Sequence, residues 1–164
     1  MIALGVDSGS RCTGYGVVEG RGAAHKALAY GALRLEPDLP HPDRLALIGA
    51  RLRELIGEFR PEVLALEGVF MAENAQSALK LGQVRGAVML TAAQEGVPVV
   101  EISPAEVKAA VTGYGRAEKT QVQKMVQAIL GLPKPPTPHD ASDALALAIC
   151  ALARGRLATA GVRK

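Results

Sequence analysis

The 164-residue sequence has no tryptophan and few aromatics of any kind: Tyr15, Tyr30, Phe59, Phe70 and Tyr114, 3% of the chain. The core must therefore be aliphatic, and an aromatic left on the surface would be unusual. Cysteine is scarce too. Cys12 and Cys150 have neither metal-ligand spacing nor a disulfide framework, which points to a reducing, cytoplasmic compartment. Long apolar runs are missing: the longest, Ala144 to Ala153, falls far short of the ~20 residues that span a bilayer. The chain opens directly into Ile2-Ala3-Leu4-Gly5-Val6-Asp7, without the basic flank or small-residue cleavage site of a signal peptide. Internal repeats and low-complexity tracts are absent as well.

What remains is a globular composition, 49% hydrophobic and 21% charged, which excludes a disordered chain. The length suits one domain, and a domain of this size buries enough surface to need no disulfide or metal staple. Residues 1–74 hold 8 Lys/Arg and 10 Asp/Glu, whereas residues 75–164 hold 11 and 6. The excess of +5 in the second half suits a polyanionic partner, although ordinary surface charge explains it about as well.

Three short apolar segments, Ile2–Val6, Tyr15–Val18 and Ala27–Leu33, read as strands close enough in sequence to form antiparallel hairpins. Prolines 37, 40 and 42 break the chain. A helix follows over 43–59, with Leu45, Ile48, Leu52, Leu55, Ile56 and Phe59 on one face. Val63–Leu66 reads as a buried strand closed by Glu67. A helix over 75–95, stopped by Gly96 and Pro98, leads to a fifth strand, Val97–Ile102. Its stripe of Ala78, Leu81, Val84, Val88 and Ala92 suits a core, a dimer interface, or both. Ser103-Pro104-Ala105-Glu106 carries the signature of a capping box, and further helices are predicted over 117–130 and from Asp140 to a stop at Gly155. The order β-β-β-α-β-α-β-α-α-α predicts an α/β fold: a mixed five-stranded sheet with helices on both faces. Residues 1–154 form the domain and residues 155–164 a short basic, flexible tail. Right-handed crossovers place the fourth strand beside and parallel to the first, with their carboxyl ends at the edge where such sheets bind ligands.

Four carboxylates converge on that edge in this reading. Asp7 and Glu67 close neighbouring strands, and Asp140 and Asp143, three apart, share the first turn of the last helix. Each alone has an ordinary explanation: a turn residue, a solvated strand end, a partner for the helix dipole. Together they are unstable without a cation, since two like charges ~4 Å apart repel by roughly 4 kcal/mol at an effective dielectric near 20. Such a cluster takes up protons or metal. All-oxygen ligation favours Mg²⁺ or Mn²⁺, and two such ions would clamp a scissile phosphate for in-line displacement.

The segment Gly5-Val6-Asp7-Ser8-Gly9-Ser10-Arg11-Cys12-Thr13-Gly14-Tyr15-Gly16 resembles the opening motif of RuvC-type Holliday-junction resolvases. The run from Leu66-Glu67-Gly68-Val69-Phe70-Met71 through Ala75, continuing over Ser77-Ala78-Leu79-Lys80-Leu81-Gly82-Gln83, resembles a second motif of the same family. Val107-Lys108, Ala117-Glu118-Lys119 and Asp140-Ala141-Ser142-Asp143-Ala144-Leu145-Ala146 follow in order, so the resemblance extends to about residue 153. It implies a ribonuclease-H-like fold and a homodimeric, Mg²⁺-dependent endonuclease, with Mn²⁺ as a substitute. Such enzymes nick opposing strands of a four-way DNA junction, with some preference for a T-rich sequence, beside a branch-migration motor complex. Carried over by motif, Asp7, Glu67, Asp140 and Asp143 are the catalytic metal ligands. Lys108 and Lys119 lie near the DNA backbone, and Phe70 sits against bases near the crossover. Ser8 stands where the family usually has proline. His139 precedes Asp140, and some relatives use a histidine in this part of the site; Asp140 is the favoured ligand.

Competing readings remain at this level. The Asp7-Ser8-Gly9-Ser10 turn resembles the phosphate loop of sugar-kinase and actin-like ATPases, but those need a second domain for which this chain is too short. A related nuclease acting on RNA ends and a non-cleaving junction-binding protein stay open.

Overall fold

A computed structural model describes residues 1–68 and 74–161, with 156–161 described by their backbone alone. Phe70 therefore lies outside the described residues. Ten elements follow in chain order: β1 (Ile2–Asp7), β2 (Cys12–Arg21), β3 (Ala24–Arg34), α1 (His41–Phe59), β4 (Val63–Glu67), α2 (Ala75–Gln94), β5 (Val99–Ile102), α3 (Pro104–Thr112), α4 (Lys119–Leu130) and α5 (His139–Gly161). The five strands form one sheet in the order β3-β2-β1-β4-β5. β2 is antiparallel to β1 and β3, while β4 runs parallel to β1 and β5. The element order and the mixed sheet are those read from the sequence.

Strand alternation sorts side chains onto two faces. Leu4, Val6, Val17, Leu64 and Leu66 join Ile48, Leu52, Leu55, Val84 and Val88 in a core beneath α1 and α2. Ala3, Val18, Val63 and Ala65 join the opposite core, beneath α5 and alongside α3 and α4. Asp7 has the parity of Ala3 and Gly5, and Glu67 that of Val63 and Ala65. Because Ala3 pairs with Val63 and Val6 with Leu66, both carboxylates fall on the α5 face at adjacent strand ends.

α5 is buried nearly all round from Ala141 to Leu152, between the sheet and the pair α3 and α4. The apolar run Ala144–Ala153 is thus a central core helix, and no described helix is long and apolar enough to cross a membrane. Its approach to the sheet is set by glycine. An ideal Cβ on Gly5 would lie 1.9 Å from the Ala144 carbonyl oxygen, and one on Gly14 would lie 2.0 Å from the Asp140 carbonyl oxygen.

Several boundaries differ from the sequence reading. β2 and β3 are longer than the apolar segments suggested: Gly14 and Gly20, outside the expected Tyr15–Val18, lie within β2, and β3 extends to Ala24 and Arg34. α1 begins at His41, with proline in its first turn, where a missing amide costs nothing. The predicted stop at Gly155 is overturned: α5 runs on to Gly161. One interior glycine costs only ~1 kcal/mol relative to alanine, and Arg156, Leu157, Ala158 and Ala160 favour continuation. Of the predicted α2 stripe, Val84, Val88 and Ala92 are core, whereas Ala78 is exposed.

Candidate active site

The carboxyl end of β1 turns sharply after Asp7, and three bonds hold that turn. The Thr13 hydroxyl donates to the Gly9 carbonyl at 2.9 Å, Arg44 donates to the Ser10 carbonyl at 3.2 Å, and the Leu35 amide donates to the Arg11 carbonyl at 3.0 Å. The loop is thereby fastened without a proline at Ser8. The carboxyl end of β4 is held from below: buried Arg85 of α2 donates to the Glu67 carbonyl and pairs with Glu101 of β5 at 2.7 Å. The Gly68 amide completes the edge by donating to the Ile102 carbonyl at 2.8 Å. The predicted capping box is present, with the Ser103 hydroxyl accepting from the Glu106 amide and Glu106 accepting from the Ser103 amide. It starts α3 with Val107 and Lys108 turned toward this edge.

Asp7, Glu67, Asp143, Lys108 and Lys119 line one cavity of about 250 Å³ with Pro104, Val107, Val122 and Leu147. Asp140 does not line it. It borders an adjoining concavity with Arg11, Cys12 and Arg34. Asp140 and Asp143 thus border different concavities, although the charges of both act on Asp7. His139 is exposed at the start of α5. Arg116 and Lys124 do not line the cavity.

The electrostatics centre on Asp7. Burial, then the charges of Asp143, Glu67 and Asp140, push its carboxyl up to about 7, and Lys119 opposes them. Burial and Asp143 also raise Glu67, against Lys119, Arg85 and Lys108. Burial raises Asp143, with Lys119 and His139 opposing. The Lys119 ammonium lies 3.7 Å from the Asp143 carboxylate and so acts as an internal counter-ion to the whole group. Among the described residues, no three His, Cys, Asp or Glu side chains converge tightly enough to hold one ion as they stand. The donors are nonetheless all hard oxygens, gathered where mutual repulsion favours a cation.

A sequence model of the family described as crossover junction endodeoxyribonuclease RuvC matches residues 3–151. The chain belongs to the RuvC family. It is 48% identical to a crossover junction endodeoxyribonuclease RuvC of Chlorobium chlorochromatii, over 99% of this chain and 84% of that one. It is 51% identical to the RuvC of Citrifermentans bemidjiense, over 92% and 91% of the two chains. Among solved structures it resembles Thermus thermophilus RuvC in complex with Holliday junction substrate, with a TM-score of 0.93, 38% identity and 97% of each chain covered. These neighbours share its ribonuclease-H-like α/β fold.

Within this RuvC-family chain, Arg85 is the site residue that sequence reading missed. It positions Glu67 by holding that residue's backbone. Its signal was a cation beside Val84 and Val88, on the face of α2 that is otherwise apolar.

Proposed function

We propose that this chain is a divalent-metal-dependent endonuclease that resolves four-way DNA junctions by paired symmetric nicks during recombination and repair. The observation that carries the reading is the single cavity in which Asp7, Glu67 and Asp143 face Lys108 and Lys119, in a chain of this family. Asp7, Glu67, Asp140 and Asp143 would hold the metal, Mg²⁺ with Mn²⁺ as a substitute, two ions per site. Such ions supply an activated water and stabilise the leaving oxygen of an in-line displacement, leaving a 5′ phosphate. Asp7 feels the charges of Asp143, Glu67 and Asp140 and is the common member of the cluster. Lys119, released from Asp143 when a stronger cation arrives, and Lys108 are placed to take the negative charge of the strand being cut. Phe70 is proposed to pack against bases near the crossover.

The nuclease domain is proposed to comprise residues 1–154, acting inside the reducing cell, where Cys12 and Cys150 stay free thiols. A symmetric dimer would account for paired cuts. The outer face of α2, with Leu79 68% and Leu90 60% exposed, is the surface offered for it, and a branch-migration motor is the proposed partner of the assembly.

The deciding experiment is Asp7→Asn with a labelled four-way junction and Mg²⁺. Cleavage falls by at least ~10³-fold, by analogy with removal of a group that acts as part of a unit, while junction binding is retained. Equal loss of both would make Asp7 a folding residue. Cutting of precursor or single-stranded RNA in preference to the junction would favour the RNA-end reading instead.

A further inference from the structure

A second concavity of about 510 Å³ lies on the other side of the β1–β2 loop, bordered by Ser10, Arg11, His41, Arg44, Ser77 and Lys80. Its remaining lining residues, Pro37 and Leu39, are neutral, so no carboxylate among the described residues borders it. Glu36, Asp38 and Asp43, next to lining residues in sequence, do not line it, nor does Asp7.

Among the described residues, the cationic side chains of its walls make no ion pair. Arg44 spends its guanidinium on carbonyls, donating to Leu39 at 2.8 Å, to Ser10 at 3.2 Å and to Pro37. It therefore stands as a fixed positive charge with no ion pair to any described carboxylate. Arg11 and Lys80 are exposed and make no ion pair with any described residue. α1 starts at this wall with no side chain capping its amino end, and Asp43 in its first turn does not line the cavity. The Ser10 and Ser77 hydroxyls supply donors. The buried Nε2 of His41 has no hydrogen-bond partner, leaving a polar atom unmet in the same wall. Several cationic and hydroxyl groups around a concavity of this size match a phosphate group.

Its position selects the kind of phosphate. Arg11 borders both this cavity and the concavity that holds Asp140 and Cys12. Arg11 comes four positions after Asp7, so their Cα atoms are at most ~14 Å apart. That is about the rise of four steps of a DNA strand at ~3.4 Å each. We infer that this cavity seats a backbone phosphate of the DNA substrate, a few nucleotides from the phosphate cleaved at Asp7. Arg11 and Lys80 close on it, and Arg44 is the fixed charge behind it. The inference rests on the junction-nuclease reading and adds a positioning site to it.

The test is junction binding by the full chain in EDTA, with no cleavage, at a series of salt concentrations. Arg11→Ala/Lys80→Ala is expected to lower the magnitude of the log K against log salt slope by about one and to weaken binding about fivefold near 0.15 M salt, as for one lost phosphate contact. A Lys26→Ala control, on the remote β2–β3 hairpin, leaves both unchanged. Single methylphosphonates walked outward from the cleaved position add a second readout. One of them weakens the wild-type chain by a similar factor and has no further effect on the double variant. A double variant that binds with wild-type affinity and slope, or whose loss adds in full to every methylphosphonate, overturns the phosphate site while leaving the nuclease reading intact. Failure of the wild-type chain to bind the junction would overturn both.

Discussion

Beneath α1 and α2 the sheet presents Leu4, Val6, Val17, Leu64 and Leu66, and the space between layers is filled by aliphatic side chains. Beneath α5 the same strands present Ala3, Gly5, Gly14, Gly16 and Ala65, and the helix backbone itself rests on the sheet. The first kind of packing is built from flexible volume and relaxes around a change. The second is set by backbone contact and does not. All four carboxylates proposed as metal ligands belong to the second face. The geometry of the site is thus inherited from how closely α5 can lie on β1 and β2.

The comparison breaks most sharply at Gly14. An added Cβ meets the Asp140 carbonyl oxygen at 2.0 Å and the Asp140 Cβ at 2.9 Å. Restoring an ordinary contact of ~3.4 Å needs the first turn of α5 to move by more than ~1 Å, a misplacement that can cost ~10²-fold in rate. Gly14→Ala is expected to reduce single-turnover junction cleavage at least ~100-fold. Gly20→Ala, on the same strand and face, meets the flexible Leu152 side chain, with methyls at 3.2 Å, in place of a backbone carbonyl and should leave cleavage within a few-fold. Similar rates for the two variants would show that α5 adjusts freely, and the contrast between faces would fail.

The converse test lies under α1. Leu52 is 2% exposed in that core, and Leu52→Ala is expected to cost about 2–5 kcal/mol of stability in denaturant unfolding. Cleavage per folded molecule should change little, because this layer reaches the site through Arg44 and Arg85 rather than through Leu52. A loss of turnover in fully folded Leu52→Ala protein would mean that the two faces are mechanically coupled.

The carboxylates also make the α5 face the pH-sensitive one. The Asp7 carboxyl is raised to about 7 in the fold, whereas an unfolded aspartate titrates near ~3.9. Between these values the folded state binds more protons than the unfolded state. Stability is therefore expected to fall as pH rises from about 4 to 7 and to level off above, with a slope of at most ~1.4 kcal/mol per unit for one proton. Millimolar Mg²⁺ should flatten that slope and raise the melting temperature at pH 8. Melting curves in EDTA that show no decline over this interval would remove the electrostatic strain assigned to Asp7.

How much of this was legible in the sequence follows the same division. The α1 side could be read directly, since Leu45, Ile48, Leu52, Leu55 and Ile56 repeat at helical spacing and prolines mark the ends. On the α5 side, Gly14 and Gly20, which flank the expected Tyr15–Val18, carry no side-chain periodicity, so β2 appeared shorter than it is. A glycine that makes room for a helix backbone looks like one that makes a turn. Asp7 and Glu67 were placed correctly side by side because strand parity and a right-handed crossover suffice for that. The splitting of Asp140 from Asp143 was not accessible, because it depends on where α5 crosses β1 and β2. Arg85 was hidden for a similar reason: its role runs through a backbone carbonyl, which no side-chain pattern records.

The smallest effect tests the same backbone-set face from within. Ser142 lies on α5 between Asp140 and Asp143 and is 1% exposed, and its hydroxyl has no hydrogen-bond partner. A buried hydroxyl left unpaired costs about 1–3 kcal/mol relative to one that is satisfied. Alanine at this position removes the cost, keeps the helix backbone where it is and adds no volume. Ser142→Ala is therefore expected to raise stability by up to ~1 kcal/mol, seen as a rise of a few degrees in melting temperature, with cleavage unchanged. A clear destabilisation would show that the hydroxyl is bonded in the folded protein. Reduced cleavage at unchanged stability would instead place Ser142 among the groups that orient the two aspartates, making the first turn of α5 part of the chemistry as well as its support.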